Sequence, residues 1–77
     1  MPSKTVGAFQ IWVIPGDHEP AHVHVEGGSG EAIFVISPVI VLRDKGSMNV
    51  ADRRKAAEAI KSVHGTLMQM WKQYGKK

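Results

Sequence analysis

Apolar and polar residues alternate along the first half of the chain, and this period of two predicts strands. Residues 6–14 form the first alternating run, and residues 21–26, 31–36 and 39–42 form three shorter ones. Gly27-Gly28-Ser29-Gly30 lies between two of these runs and predicts a hairpin loop. We therefore expect an antiparallel sheet of three to four strands.

The last third of the chain repeats apolar residues every three or four positions, which is the period of a helix. Asn49 is a candidate N-cap and Gly75 a natural end, so the spacing predicts one long helix over residues 50–74. Gly65 is unfavourable inside that helix and predicts a bend or break. The expected fold is α+β, one domain over residues 1–77 with the sheet packed against one long C-terminal helix. The predicted buried stripe of that helix consists of Ala56, Ile60, Val63, Leu67, Met70, Trp71 and Tyr74.

One helix covers only one face of such a sheet. The runs 31–36 and 39–42 are apolar on both faces, so the second face needs another cover. The large aromatic side chains of these elements are expected in the core, namely Trp12, Phe34 and Trp71. The chain therefore predicts a surface for a protein partner, or for a second copy in a homodimer.

Charge is distributed unevenly along the chain. Residues 1–52 hold three basic and six acidic side chains, whereas residues 53–77 hold seven basic side chains and Glu58 as the single acid. A basic segment of this kind binds phosphate backbones or acidic protein surfaces, or is simply a solvated helix face. The candidate residues for binding a partner or nucleic acid are Arg53, Arg54, Lys55 and Lys61.

Three of the four histidines fall within residues 17–25. Histidine titrates near neutral pH and is the commonest metal ligand. On a strand, His22 and His24 project from the same face, and His18 lies on the turn before them. Three interpretations stay open: a divalent metal site formed by His18, His22 and His24, a contact to phosphate or a base, and a structural cluster in which His18 caps the turn through a backbone hydrogen bond.

The pair His22-Val23-His24 also suggests a metal-dependent nuclease or hydrolase. In such a site the histidines hold a divalent cation while a tyrosine attacks phosphate, and Tyr74 is the only tyrosine. Asp17 or Glu26 would complete the ligand set. No two carboxylates are spaced as an acid–base couple, so we assign no catalytic residue, and the patterns favour binding over catalysis.

Composition restricts the setting of the protein. The chain has no cysteine, which excludes disulfides and thiolate chemistry and is typical of a reducing compartment. No apolar run reaches the roughly 18 residues that span a bilayer. We therefore expect a cytoplasmic protein without a membrane segment. Apart from the candidate metal ion, the sequence requires no cofactor.

Taken in order, these elements resemble a family of small bacterial proteins catalogued as domain of unknown function 4160. The resemblance covers nearly the whole chain and combines a histidine motif, a strand motif and a helix motif. The matching residues are Asp17, His18, Pro20, His22, Val23, His24, Glu31, Ala32, Phe34, Leu67, Trp71 and Tyr74. The resemblance implies a compact α+β unit whose genes occur in pairs that look like toxin–antitoxin modules, and it implies no established activity.

The expected function is therefore that of a small non-enzymatic interaction module from a bacterium or phage. Such a module would act in a toxin–antitoxin pair or as an inhibitor of a defence complex. A protein is the expected partner, and nucleic acid is a further candidate. The metal-dependent nuclease that uses His18, His22 and His24 is the alternative.

Overall fold

The computed structural model describes residues 3–16 and 18–75, and its sheet has five antiparallel strands. The strands pair in chain order: β1 Ser3–Val6, β2 Phe9–Trp12, β3 His22–Gly27, β4 Gly30–Val35 and β5 Val41–Asp44. Two helices and a π-helical turn follow: α1 Val50–Ser62, α2 His64–Met70 and the turn Trp71–Gly75. The α+β class agrees with the prediction, but the predicted architecture of three to four strands against one long C-terminal helix is wrong.

The predicted strand over residues 6–14 is interrupted because Gly7 reverses the chain. The φ of Gly7 is 58°, in the left-handed region that glycine enters most readily. Val6 pairs with Phe9, so Gly7-Ala8 is the two-residue loop of a tight hairpin between β1 and β2. Apolar residues on both sides of the turn concealed it in the hydrophobic pattern.

The predicted helix over residues 50–74 is interrupted at Val63, whose backbone, with φ −122° and ψ 24°, is not α-helical. Just before this point the Ser62 hydroxyl donates to the Ala59 carbonyl at 2.7 Å, a contact that competes with regular helix bonding. The break was expected at Gly65 and falls two residues earlier. Within the described residues, no helix has the length and apolar character needed to cross a bilayer.

Side-chain hydrogen bonds tie both helices to the sheet. His64 Nε2 donates to the Ile36 carbonyl at 2.6 Å and joins the start of α2 to the end of β4. Asn49 caps α1, as predicted, by accepting from the Asp52 amide at 2.8 Å. The Asp52 carboxylate accepts from the Ser29 amide at 2.7 Å, which fastens α1 to the β3–β4 hairpin loop.

One face of the sheet is sealed by the helices, and we call it the inner face. Its side chains form one cluster with those of the helices, and burial of this apolar surface is the main stabilising contribution to the fold. Phe34 and Trp71 belong to this cluster, as predicted, together with Phe9, Ile11, Val13, Ala21, Val23, Val25, Ala32, Ile36, Met48, Ala56, Ala59, Ile60 and Leu67.

Alternate residues of the same strands form the opposite side of the sheet, which we call the outer face. It continues beyond the strand ends to Ile14 and Glu19, which line a cleft together with strand residues of this side. The strand residues of the outer face are Ser3, Thr5, Gln10, Trp12, His22, His24, Glu26, Glu31, Ile33, Val35, Val41, Arg43 and Asp44.

Candidate functional site

One row of the outer face crosses four strands and carries aromatic, imidazole, apolar and acidic groups in turn. Trp12 is the register partner of His24, His24 of Ile33, and Ile33 of Asp44. The rings of Trp12 and His24 stack with centroids 5.7 Å apart and an angle of 18° between their planes. Trp12, which was predicted for the core, is therefore a half-buried residue of the outer face.

The three clustered histidines line one cleft of the outer face, with a volume of about 480 Å³, which we call the histidine cleft. His18 is exposed, His24 is half-buried, and His22 is only 6% exposed. The rings of His22 and His24 meet edge to face with centroids 5.6 Å apart. The structure thus brings the three predicted residues together. The full lining of the cleft is Ile14, His18, Glu19, His22, His24, Ile33, Arg43 and Asp44.

The C-terminal π-helical turn supports the base of this cleft. The His22 ring packs against Trp71 with centroids 5.2 Å apart, and its Nδ1 donates to the Pro20 carbonyl at 2.8 Å. The neutral ring therefore carries its proton on Nδ1. The Trp71 indole N–H donates to Glu19 at 3.4 Å and ties the turn before β3 to the helix end. His22 thus makes a backbone hydrogen bond within this turn, and the capping role of His18 stays a prediction.

A bulge in β5 places Arg43 in the same cleft. Ile33 pairs with Asp44, but the next residue, Phe34, pairs with Leu42, so Arg43 is an extra residue in β5. An inserted residue re-aims neighbouring side chains, and here Arg43 and Asp44 both line the cleft although they are adjacent in sequence. Bulges and π-helical turns are both enriched at functional sites. Arg43 is not among the predicted site residues, because no local pattern in the sequence marks the bulge.

The outer face is acidic around its apolar centre. Among the described residues assigned to this face, four are carboxylates, Glu19, Glu26, Glu31 and Asp44, and Arg43 is the single permanent cation. Glu26 and Glu31 are direct register partners on adjacent strands. Like charges placed opposite each other destabilise a sheet. The fold therefore gains no stability from this pair.

The metal site stays a prediction. Among the described residues, no three His, Asp or Glu side chains are arranged to hold one ion. Asp17, predicted as a further ligand, lies outside the described residues, and Glu26 does not line the histidine cleft. Tyr74, predicted as a nucleophile, does not line it either; its side chain is 42% exposed and its carbonyl accepts from the Gly16 amide at 2.8 Å.

The four basic candidates all lie on α1 but do not share one side of it. At 100° per residue, Arg54 and Lys61 fall within about 20° of each other, whereas Arg53 and Lys55 lie about 160° apart. Glu58 lies between Arg54 and Lys61 along the helix and is exposed like them. The basic residues therefore point in three directions, with Arg53 and Lys55 about 100° to either side of Arg54, and their role in binding remains a prediction.

A known protein family matches this chain. The model of a family described as Domain of unknown function (DUF4160) matches residues 8–72. The match spans the histidine cleft, the bulge in β5 and both helices. Neither the curated proteins nor the solved structures provide a match.

Proposed function

Given that this chain belongs to the DUF4160 family, we propose that it is a small interaction module that binds a protein partner through its outer face. The observation that supports this proposal is that the helices pack on the inner face of the sheet, whereas the outer face stays partly exposed. Trp12, Ile33 and Val35 are only half-buried, and Val41 is 50% exposed, whereas the apolar inner-face residues of β2, β3 and β4 are buried. Contiguous exposed apolar surface on a small protein marks an interaction site.

The partner contact would serve in a toxin–antitoxin pair or in the inhibition of a defence complex. Either role requires a small body with one rigid binding face, since a preorganised surface loses less conformational entropy on binding. Packing of Trp71 against His22 and pairing of four strands across the outer face supply that rigidity. The basic side chains of α1 would add a secondary contact, to nucleic acid or to an acidic protein surface: Arg53, Arg54, Lys55 and Lys61.

Site-directed photo-cross-linking in cells that produce the protein tests the proposal. A photoreactive residue at Val35 should give a discrete protein adduct, because Val35 is half-buried on the outer face between His22 and Val41. The matched control carries the same residue at Glu58, on the exposed side of α1, and should give none. Protein adducts from Glu58 alone, or nucleic-acid adducts from Val35, would contradict the assignment of the outer face.

A growth assay tests the toxin–antitoxin role separately. Production of the chain without its partner should slow growth, and Ile33→Lys should relieve the effect by placing a cation on the binding face. An unchanged growth rate with the wild-type chain would speak for the inhibitor role, in which the target is a defence complex and not an essential process.

A further inference from the structure

We propose that the partner segment seated on the outer face is basic and inserts arginine or lysine side chains into the hollows of that face. This inference rests on the proposed function and adds the chemistry of the partner to it. Its basis is that three hollows along the outer face each combine carboxylate groups with an apolar wall. Complementary charge across an interface selects the partner and steers the encounter.

The histidine cleft is the largest of these hollows. In about 480 Å³ it places the carboxylates of Glu19 and Asp44 beside the apolar side chains of Ile14 and Ile33. The bulge that brings Arg43 here also brings Asp44, so the one guanidinium that lines the cleft comes with a carboxylate from the adjacent residue. Two carboxylates line the cleft, from Glu19 and Asp44, against the one guanidinium of Arg43.

Two smaller hollows repeat the combination. One, of about 270 Å³, is lined by Glu26 and by the indole of Trp12. The other, of about 140 Å³, is lined by Glu31 and Asp44 beside Ile33. Lysine and arginine match such hollows because their long apolar stems pack on hydrophobic walls while the charged head meets a carboxylate. An arginine beside Trp12 would in addition stack on the indole ring.

The repulsion between Glu26 and Glu31 also favours a basic partner. These carboxylates face each other across β3 and β4 and repel, and a cation placed between them would turn that repulsion into attraction. A nucleic-acid backbone would instead add negative charge to the same place. The outer face therefore fits a basic protein segment with apolar residues between its cations.

A peptide-binding experiment tests the inference on the full chain. The probe is a fluorescein-labelled amphipathic peptide with leucine on one side and arginine on the other, compared with versions that carry glutamine or glutamate in place of arginine. Fluorescence anisotropy should rank the affinities arginine first, glutamine second and glutamate last. Tryptophan emission should change on binding and should change less in Trp12→Phe, which retains only the buried Trp71 beside Glu19 and His22.

Charge reversal supplies the matched pair of variants. Glu26→Lys should weaken binding of the arginine peptide about fivefold, the upper range for an exposed ion pair, whereas Glu58→Lys on α1 should leave it unchanged. Glu26→Lys also converts a repulsive cross-strand pair into an attractive one. Its resistance to urea should therefore equal or exceed that of the wild type, which separates loss of binding from loss of folding.

Several results would overturn the inference. Equal binding of the arginine and glutamine peptides, or binding of none, would remove the preference for a basic segment while leaving the cross-linking test of the outer face intact. Self-association that Glu26→Lys abolishes, measured by sedimentation equilibrium, would assign the face to a second copy and its basic α1. Quenching of Trp12 by single-stranded RNA would assign it to nucleic acid.

Discussion

The inner and outer faces of the sheet are built from alternate residues of the same strands, yet they differ in cover, charge and irregularity. Val25 is fully buried against the helices, while its neighbour His24 lies half-buried in a cleft that carries both acids and bases. The inner face contains no charged residue in its buried cluster. Successive residues of one strand can therefore contribute to the core and to the surface, because a strand sends them to opposite sides.

Isoleucine-to-alanine substitutions on the two faces should give the largest difference in the free energy of unfolding. Ile11→Ala, at a fully buried inner position, should lower the free energy of unfolding by about 3 kcal/mol, because it removes buried methylenes and leaves a cavity. Ile33→Ala, on the half-buried outer face, should cost about 1 kcal/mol or less. Urea denaturation with both midpoint and slope measures the difference. Equal losses would show that the outer face is as enclosed as the inner one.

The second largest effect should be a difference in stability between alanine variants of two histidines in the histidine cleft. His22→Ala should destabilise the fold by about 2 kcal/mol, since it removes the bond to Pro20 and the packing against Trp71. His18 is exposed, so His18→Ala should change stability by about 0.5 kcal/mol at most. Thermal unfolding of the two variants checks this. A comparable loss from His18→Ala would mean that the fold depends on the whole histidine turn.

A smaller effect should appear in acid, where the β3–β4 hairpin loop meets α1. Hydrogen bonds from the hydroxyl and the amide of Ser29 hold the pKa of Asp52 below its usual value of 3.8. The ionised carboxylate therefore stabilises the folded state above that pH, and the contribution disappears as the pH falls through the lowered pKa. Wild-type stability should thus decline more steeply below pH 3.8 than that of Asp52→Asn. The control Glu58→Gln, on the exposed side of α1, should keep the wild-type profile.

Metal ions should give the smallest effect. Zinc and manganese should leave the thermal midpoint of unfolding unchanged, because no three described side chains are arranged to hold one ion, and a ligand stabilises only what it binds. Differential scanning calorimetry with and without a chelator checks the prediction. A midpoint that rises with zinc in the wild type but not in His24→Ala would restore the metal site and with it the nuclease alternative.

Part of the candidate site was accessible from the sequence. Strand alternation correctly placed His22 and His24 on one side and predicted an apolar second face. It could not predict that Arg43 joins them, because a bulge depends on how β5 pairs with β4 and leaves no mark in its own residues. Helical spacing likewise predicted the buried positions Ile60 and Leu67, but it did not predict the interruption at Val63.

The sequence by itself determined the local order of this protein: the faces of its strands, the hairpin at Gly28-Ser29 and the cap at Asn49. These features depend on neighbours a few residues apart, so a period or a single side chain is enough to specify them. Only the tertiary structure decided where the predicted strand and helix are interrupted and which side chains line the histidine cleft. Those outcomes depend on contacts between distant residues, such as Trp71 with His22 and His64 with Ile36, and no local period encodes a contact of that kind.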